Sequence, residues 1–330
     1  MALDAQTMAD ISQETQPCPL CGNRSYEVVG TRDRRGASLQ TVLCAECGHV
    51  FTNPAPPLEH LRSYYKEHYR QDYKGLLIPK RKHIYRAGRS ALERLARIEG
   101  RLAPGAHVID VGAGGGEFVY LMKCRGFHAM GVEPNAGYAT YARKEYEVDI
   151  RAGSLEEAEF PEERADLVTM HHVLEHARDP MGTLTRLRSW LKPGGLIAIE
   201  VPNLASWAHA PKHRFHKAHL HTFHREGLED ALANSGFEVI EPPRPKDRGH
   251  LYAVGRKAEI AESRRWRAGA AESRAILRSH TSLAHFLSGQ PLRRIHASAT
   301  RPIAEALAIR KLGNPPSGRA LLNKLYVMGI

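Results

Sequence analysis

The sequence predicts an α/β protein, and this prediction rests on two local patterns. Residues 107–111 are rich in β-branched apolar side chains and run directly into residues 112–116, four of which are glycine. Glycines let the backbone turn tightly and approach a ligand closely, and a helix-compatible stretch follows at 117–124. A second strand-like stretch, residues 129–133, ends in an acid. This strand–turn–helix–strand order is typical of sheets that bind nucleotide-like ligands at the first turn.

Length and composition describe a globular protein of more than one unit. The chain has 330 residues, of which 42% are hydrophobic and 25% are charged, as in soluble folded proteins. No apolar run approaches the ~18 residues of a membrane-spanning helix. The polar residues 1–16 lack the apolar core of a secretion signal, so we expect a cytoplasmic location. We divide the chain into a flexible start (1–16), a metal-binding module (17–57), a bridging helical region (58–104), an α/β core (105–256) and a basic helical extension (257–330).

Four of the five cysteines form two C-x-x-C pairs, Cys18 with Cys21 and Cys44 with Cys47. This spacing is typical of a ribbon that holds one tetrahedral zinc ion through four thiolates. Two disulfides or four free thiols are the alternatives, and disulfides would require an oxidising compartment. A zinc ion with four sulfur ligands has no open position, so we expect a structural role. We expect the fifth cysteine, Cys124, to be a buried small side chain.

The residues around the glycine-rich turn indicate which cofactor it holds. Position 117 is glutamate, whereas the fingerprint of NAD-binding turns requires glycine there. Asp110, immediately before the glycines, would repel a pyrophosphate and attract a cofactor that carries an ammonium and a sulfonium. Glu133, at the end of the second strand, is placed to accept hydrogen bonds from a ribose diol. These charges favour S-adenosylmethionine over NAD.

The same residues resemble the motifs of class I S-adenosylmethionine-dependent methyltransferases, in the order of that family. In chain order the markers are the glycine-rich turn at 110–116, the ribose-binding acid Glu133, an adenine-contacting segment at 153–156, a fourth strand and its loop at 166–176, and a fifth strand at 191–203. The resemblance covers residues 106–256. It implies a Rossmann-like, mostly parallel seven-stranded sheet with helices on both faces and one reversed edge strand near 251–254. The cofactor-binding residues that it implies are Asp110, Gly112, Ala113, Gly114, Glu133, Pro134, Ser154, Leu155 and His171.

The front of the chain resembles a second known element. Residues 44–56 are similar to the zinc-binding module that precedes many bacterial small-molecule methyltransferases, including enzymes that modify sugars. Between this module and the core lie four tyrosines, Tyr64, Tyr65, Tyr69 and Tyr73. We expect them either to pack the module onto the core or to cover the ligand pocket.

Histidines supply the candidate catalytic groups. Ligands bind outside the carboxyl ends of parallel strands, and His171 and His172 end the fourth strand, with His176 about one helical turn later. We predict that His172 is a general base and that His176 belongs to its polar network; alternatively, all three only order the turn. Residues 173–176 also resemble a loop of ubiquinone-pathway O-methyltransferases that can hold a divalent cation. His172 stands where that subgroup has glutamate, which argues against a second metal here.

A second group of histidines follows the fifth strand: His209, His213, His216, His219, His221 and His224. This segment matches the substrate-side segment of the family, and we predict a substrate-pocket or acid–base function for His219 or His221. Structural hydrogen bonding is an equal alternative. A metal site is the least favoured alternative, because no carboxylate or cysteine lies among these histidines.

The positive charge lies in the C-terminal extension. The chain has a formal net charge of +11, and residues 256–330 contain 14 lysines and arginines against 4 glutamates, so the rest is nearly neutral. An amphipathic helical appendage that joins two chains in a homodimer would explain this pattern. A surface for a phosphorylated, nucleotide-linked or polyanionic substrate is a second explanation, and RNA or an anionic membrane is a third.

The resemblance implies methyl transfer, and two classes of acceptor remain open. The first is an oxygen or carbon atom of a small molecule, such as a sugar, a polysaccharide precursor or a secondary metabolite. The second is RNA or protein, docked through the zinc module and the basic extension. Enzymes that methylate base nitrogens carry Asn/Asp-Pro-Pro-aromatic after the fourth strand, and this chain has Met170-His171-His172-Val173 there. This difference favours a small molecule over nucleic acid. Binding of the cofactor without transfer is a third possibility.

Overall fold

The computed structural model describes residues 15–56, 79–246, 249–259, 266–267 and 269–328. The expected flexible start and the four bridging tyrosines therefore lie outside the described residues, apart from residues 15 and 16. No helix in the described ranges is long and apolar enough to cross a membrane.

A seven-stranded sheet forms the centre of the protein. Its strands are β4 (His107–Val111), β5 (His128–Glu133), β6 (Asp149–Ala152), β7 (Ala165–His171), β8 (Leu191–Pro202), β10 (Phe237–Lys246) and β11 (His250–Lys257). They lie in the order β10-β11-β8-β7-β4-β5-β6, and β11 is antiparallel to both of its neighbours. Strands β8, β7, β4, β5 and β6 pair in parallel. The predicted α/β fold with a mostly parallel, Rossmann-like sheet is confirmed.

The reversed strand is where the sequence predicted it, but it is not at the edge of the sheet. β11 lies between β8 and β10, and β10 forms the edge. The connection from Lys246 to His250 is too short for a crossover, so β10 and β11 must form an antiparallel hairpin. The hairpin adds one more strand outside the reversed one.

Helices cover both faces of this sheet. They are α1 (Arg81–Ile98), α2 (Glu117–Cys124), α3 (Ala136–Tyr146), α4 (Pro180–Trp190), α5 (Arg225–Asn234) and α9 (Gly318–Met328). Three further helices of the C-terminal extension are α6 (Ala270–Ser279), α7 (Ser282–Leu287) and α8 (Gln290–Lys311). Successive side chains of a strand point to opposite faces. In β8, Ile197 and Ile199 join a buried cluster that includes α4 and α5, whereas Leu196 and Ala198 join one that includes α1, α2, α3 and α9.

A second, four-stranded sheet holds the N-terminal module. Strands β1 (Tyr26–Arg32), β2 (Ser38–Cys44) and β3 (Val50–Thr52) pair antiparallel in that order. The fourth strand, β9 (His221–Thr222), comes from the segment that follows β8 and pairs with β3. The module and the core thus share one sheet.

The C-terminal extension is only partly an appendage. Leu321, Leu322 and Tyr326 of α9 are buried in the same cluster as α1 and α2, and the Tyr326 hydroxyl donates a hydrogen bond to the Glu117 carbonyl at 2.8 Å. The final helix is therefore part of the core.

The expectation that Cys124 is a buried side chain is wrong, because this thiol is exposed at the end of α2.

Candidate functional site

The glycine-rich turn joins the ends of β4 and β5. The backbone amides of Gly112 and Ala113 both donate to the carbonyl of Val132 at 2.9 Å. Gly112 has φ of +75°, and a Cβ atom there would lie 2.3 Å from Cγ2 of Val173, in the loop after β7. Only glycine fits this position, so the turn and the loop after β7 are in direct contact.

Two buried carboxylates lie beside this turn. Glu133, at the end of β5, accepts hydrogen bonds from the amides of Gly114 at 2.8 Å and Asn135 at 3.1 Å. Asp110 in β4 accepts a hydrogen bond from the Thr169 hydroxyl at 2.7 Å. Each carboxylate oxygen has two lone pairs, so both groups retain acceptor capacity for a ligand.

The turn after β6 completes a cradle whose other two sides are the glycine-rich turn and the two buried carboxylates. The amide of Gly153 donates to the carbonyl of Glu133 at 3.1 Å, which places Ser154 and Leu155 next to the end of β5 and to Pro134. The Ser154 hydroxyl is buried and has no hydrogen-bond partner among the described residues. Backbone glycines, two carboxylates and an unsatisfied hydroxyl suit a cofactor that carries cationic and hydroxyl groups, such as S-adenosylmethionine.

His171 connects the cradle to the loop after β7. Its Nδ1 atom lies 3.8 Å from Oδ1 of Asp110. Burial and the positive charge of Arg94 lower the pKa of His171 to about 4, in spite of Asp110. His171 is therefore neutral at physiological pH and does not form a true ion pair with Asp110.

His172 lies between two buried glutamates. Its Nε2 atom is 3.0 Å from Glu200 and its Nδ1 atom is 3.4 Å from Glu175. Burial alone would lower the pKa of His172, but its interactions with the carboxylates of Glu175 and Glu200 outweigh burial and raise it to about 9. His172 also has φ of +58°, a strained left-handed conformation that directs its ring into this position.

Both glutamates of this cluster have low pKa values. Burial alone would raise the pKa of Glu175, but His176 and His172 lower it to about 2, and the pKa of Glu200 is likewise low despite burial because of His172 and Arg94. Nε of Arg94 lies 4.0 Å from Glu200. The two carboxylates are thus stabilised in their charged form by the basic side chains around them.

His176 has a different arrangement, on a short 3-10 turn at Leu174–His176. Its Nδ1 atom lies 2.6 Å from the carbonyl oxygen of Ala218 and must donate to it, which in the neutral ring leaves the lone pair on Nε2. That Nε2 atom is 3.9 Å from Glu175, and the ring centroid is 5.0 Å from that of His219. Burial and His176 lower the pKa of His219 to about 3, so His219 is neutral.

His221 lies at the joint between the two sheets. Its Nε2 atom is 2.7 Å from the Ala177 carbonyl and therefore donates to it, so its Nδ1 accepts from Nε2 of His49 at 3.0 Å. Burial lowers the pKa of His221 to about 4. Both ring nitrogens are engaged within the protein.

The four cysteines of the C-x-x-C pairs meet at one point. The Sγ atoms of Cys18 and Cys47 are 3.6 Å apart and those of Cys21 and Cys44 are 3.5 Å apart, and all four lie within 4.8 Å of one another. These separations are far longer than the ~2.05 Å of a disulfide. They are close to the ~3.8 Å that Zn–S bonds of about 2.3 Å impose between the ligands of a tetrahedral zinc.

The structure thus brings the predicted cofactor residues to one edge of the sheet, next to His171, His172 and His176, and places His221 at the joint. The sequence analysis did not identify three residues of this site, Glu200, Arg94 and His250. The Nδ1 atom of His250 lies 3.6 Å from Glu200. An acid in the apolar run of β8 was a signal for Glu200. Arg94 and His250 gave no signal, because they reach the site only through folding.

Comparison with known proteins agrees with this geometry. Residues 81–241 match the family model of a methyltransferase domain. A ubiquinone biosynthesis O-methyltransferase of Xanthomonas campestris pv. campestris is 34% identical over 176 residues, which are 51% of this chain and 64% of the relative. A probable S-adenosylmethionine-dependent methyltransferase of Mycolicibacterium smegmatis is 26% identical over 136 residues, 41% of this chain and 53% of the relative.

A solved structure from Thermotoga maritima, described as a SAM-dependent methyltransferase and possible histamine N-methyltransferase, has 21% identity and a TM-score of 0.45 over 60% of this chain and 100% of its own. The chain spans only 53% and 64% of the length of the two curated relatives. Residues 81–241 are similar to methyltransferase domains, including those of S-adenosylmethionine-dependent enzymes.

Proposed function

We propose that the protein is an S-adenosylmethionine-dependent methyltransferase that acts on an oxygen or carbon atom of a small molecule. The observation that carries this proposal is the direct contact between the glycine turn and the histidine-bearing loop. Gly112 touches Val173, and His171, which faces Asp110, immediately precedes His172. Cofactor cradle and candidate acceptor site therefore meet at the carboxyl ends of β4 and β7, where ligands bind in such sheets.

We assign the cofactor to the residues of the cradle. Asp110 and the turn at 112–114 would hold its methionine part, Glu133 its ribose, and Ser154 and Leu155 its adenine. Bound S-adenosylmethionine supplies an electrophilic methyl group on a sulfonium. The protein must then align the acceptor with that methyl group, and it needs a base only where the acceptor loses a proton.

We propose His176 as the group that takes this proton, at its Nε2 atom. The Ala218 carbonyl fixes the tautomer, and the nearby charge of Glu175 stabilises the imidazolium that forms. His172 is poorly suited to be the base, because it is already protonated at neutral pH and faces a carboxylate at each nitrogen. We assign His172 to positioning Glu175, and His221 to the joint between the sheets.

We further propose that Cys18, Cys21, Cys44 and Cys47 bind one structural zinc ion. The separations of the four sulfur atoms support this assignment. Four thiolates leave no open position on zinc, so the ion would stabilise the module and take no part in the reaction.

A macromolecular acceptor is the second candidate, and the surface of α7 and α8 favours it. Phe286, Leu287, Leu292 and Ile295 are each exposed by two thirds or more, and α8 also carries several arginines.

The same apolar surface would suit the homodimer predicted from the sequence. Substituting Leu292 and Ile295 by aspartate together should convert such a dimer to a monomer in light scattering; an unchanged mass would contradict this dimer.

The test is a transfer assay with S-adenosylmethionine labelled at the methyl group. Sugar nucleotides, phosphorylated sugars, and phenolic and polyketide-like metabolites are assayed beside total RNA and protein. Label on a small molecule, lost in His176→Gln but retained in His128→Gln, supports the proposal; His128 is exposed at the start of β5, at the opposite edge of the sheet. Label only on RNA or protein would overturn the small-molecule class, and label that His176→Gln retains would overturn the assigned base.

A further inference from the structure

A cluster of cations lies beside the acceptor side of the site, where the segment after β8 meets the C-terminal extension. Nη2 of Arg214 lies 2.7 Å from Nδ1 of His280 and donates to it. The neutral ring of His280 then donates from Nε2 to Nδ1 of His285 at 3.1 Å. Trp207 stacks on His280 with ring centroids 4.5 Å apart. With Arg294 and His209, these residues form what we call the Arg214 cluster.

Arg214 has no carboxylate partner among the described residues. Its Nε atom is buried and makes no hydrogen bond there. Burial is the single cause that lowers the pKa of its guanidinium, with no acid to oppose it. A partly buried cation without a counter-charge is costly, and such a group is normally retained where it meets an anion.

A second guanidinium, on α8, is linked to this cluster through His209, on which the charges of both Arg294 and His285 act. Nη1 of Arg294 donates to Nδ1 of His209 at 3.1 Å. Burial and then the charges of Arg294 and Arg34 lower the pKa of His209, so the surroundings of this ring are positive. The nearby acid Asp33 is buried and accepts hydrogen bonds from the amides of Arg35 at 2.8 Å and Ala37 at 2.9 Å, within its own turn.

A short stretch of chain and a row of rings connect the cluster to the proposed base. Arg214 and His219 are five positions apart, which limits the separation of their Cα atoms to about 18 Å. The rings of His216 and His219 are 5.3 Å apart, and those of His219 and His176 are 5.0 Å apart. A row of neutral histidines therefore runs from the proposed base toward the cations.

We propose that the Arg214 cluster is an anion subsite that binds a phosphate or diphosphate group of the methyl acceptor. The Arg214 guanidinium has a donor without a partner among the described residues, and the charges around the neighbouring His209 are positive. A fork of guanidinium donors in positive surroundings matches the several oxygens and the charge of a phosphate. The inference rests on the proposed function, since it names the class of acceptor for the same site.

The experiment measures binding of inorganic pyrophosphate to the full chain by calorimetry. The unmodified protein should bind it, and Arg214→Gln should weaken binding at least tenfold. Arg294→Gln, at an exposed position that does not threaten the fold, should weaken it several-fold. Arg310→Gln removes the same charge from an exposed position of the same helix and should have no effect. No binding to the unmodified protein, or equal affinities in all three variants, would overturn the subsite.

A transfer assay separates failure of the subsite from failure of the function. Methylation of a phosphate-bearing small molecule with KM raised in Arg214→Gln and kcat nearly unchanged supports both. Methylation of an uncharged small molecule with KM unaffected by Arg214→Gln overturns the subsite and leaves the function intact. Pyrophosphate binding that depends on Arg214, combined with methylation of RNA alone, overturns the proposed function and the assignment of the subsite to a small acceptor.

Discussion

The contact between the N-terminal module and the C-terminal extension can be tested at a single glycine. Gly48 follows the last cysteine of the cluster, has φ of +74°, and faces the start of α6. A Cβ atom there would lie 2.3 Å from the carbonyl carbon of Gly269 and 2.7 Å from the amide nitrogen of Ala270. These neighbours are backbone atoms, so Gly48→Ala must push the start of α6 away by about 1 Å to reach ordinary contact.

The expected loss of stability has two parts. A left-handed backbone costs a residue with a Cβ atom about 1–2 kcal/mol, and overpacking costs about 1–3 kcal/mol more. Gly22, in the other C-x-x-C loop, is the matched control, because it has φ of +76° and open space around the added atom. Gly22→Ala should therefore show only the first cost, and Gly48→Ala should be less stable than it by about 1–3 kcal/mol.

Urea denaturation followed by tryptophan fluorescence measures this difference as a change in the free energy of unfolding. A drop in the unfolding midpoint at an unchanged slope is the expected signature for both variants. Equal stabilities of Gly22→Ala and Gly48→Ala would refute the argument, because they would mean that α6 does not dock on the module through Gly269.

Three further predictions concern the site and the module. Glu133→Ala should weaken S-adenosylmethionine binding at least tenfold in calorimetry while Glu133→Gln, which keeps an acceptor for the amide of Gly114, weakens it less; unchanged affinity in both would remove Glu133 from the cofactor site. Cys44→Ser should reduce zinc from one ion per chain to none while the core still binds S-adenosylmethionine; one retained zinc would contradict the four-thiolate site. The pKa of His172 is raised from 6.5 to about 9, so its stabilising contribution is fully present below pH 6.5 and lost as pH rises through 9. The stability advantage of the unmodified protein over His172→Gln should vanish over that window; a pH-independent difference would contradict the charged clamp.

The residues of the candidate cofactor site could be predicted from the sequence because they follow local rules. A β-branched strand, a run of glycines and an acid at the end of the next strand can be identified one element at a time. The parallel pairing of β4 with β5 and β7 then places Asp110, Glu133 and His171 at one edge without further information.

The acceptor side could not be predicted in the same way, because its contacts join distant parts of the chain. His49 meets His221 across 172 residues, and Glu200 gains its partners from α1, from the loop after β7 and from β11. The spacing of the histidines predicted a polar segment. It could not show which ring nitrogens would bind carbonyl oxygens or carboxylates in the fold. For this reason the sequence predicted His172 as a general base without showing that each of its ring nitrogens faces a carboxylate in the fold.

These long-range contacts indicate which half of the proposed reaction the N-terminal module would serve. The module pairs β3 with β9, hydrogen-bonds His49 to His221, and accepts a hydrogen bond from His213 at the carbonyl of Arg34 at 2.9 Å. All three contacts fall on the segment between β8 and α5, whose Ala218 carbonyl fixes the tautomer of His176, and none of them falls on the glycine turn or on Glu133. Loss of the module should therefore disturb the acceptor and the proposed base before it disturbs the cofactor. A zinc-free protein that binds S-adenosylmethionine normally but transfers methyl groups slowly is the behaviour that this arrangement implies.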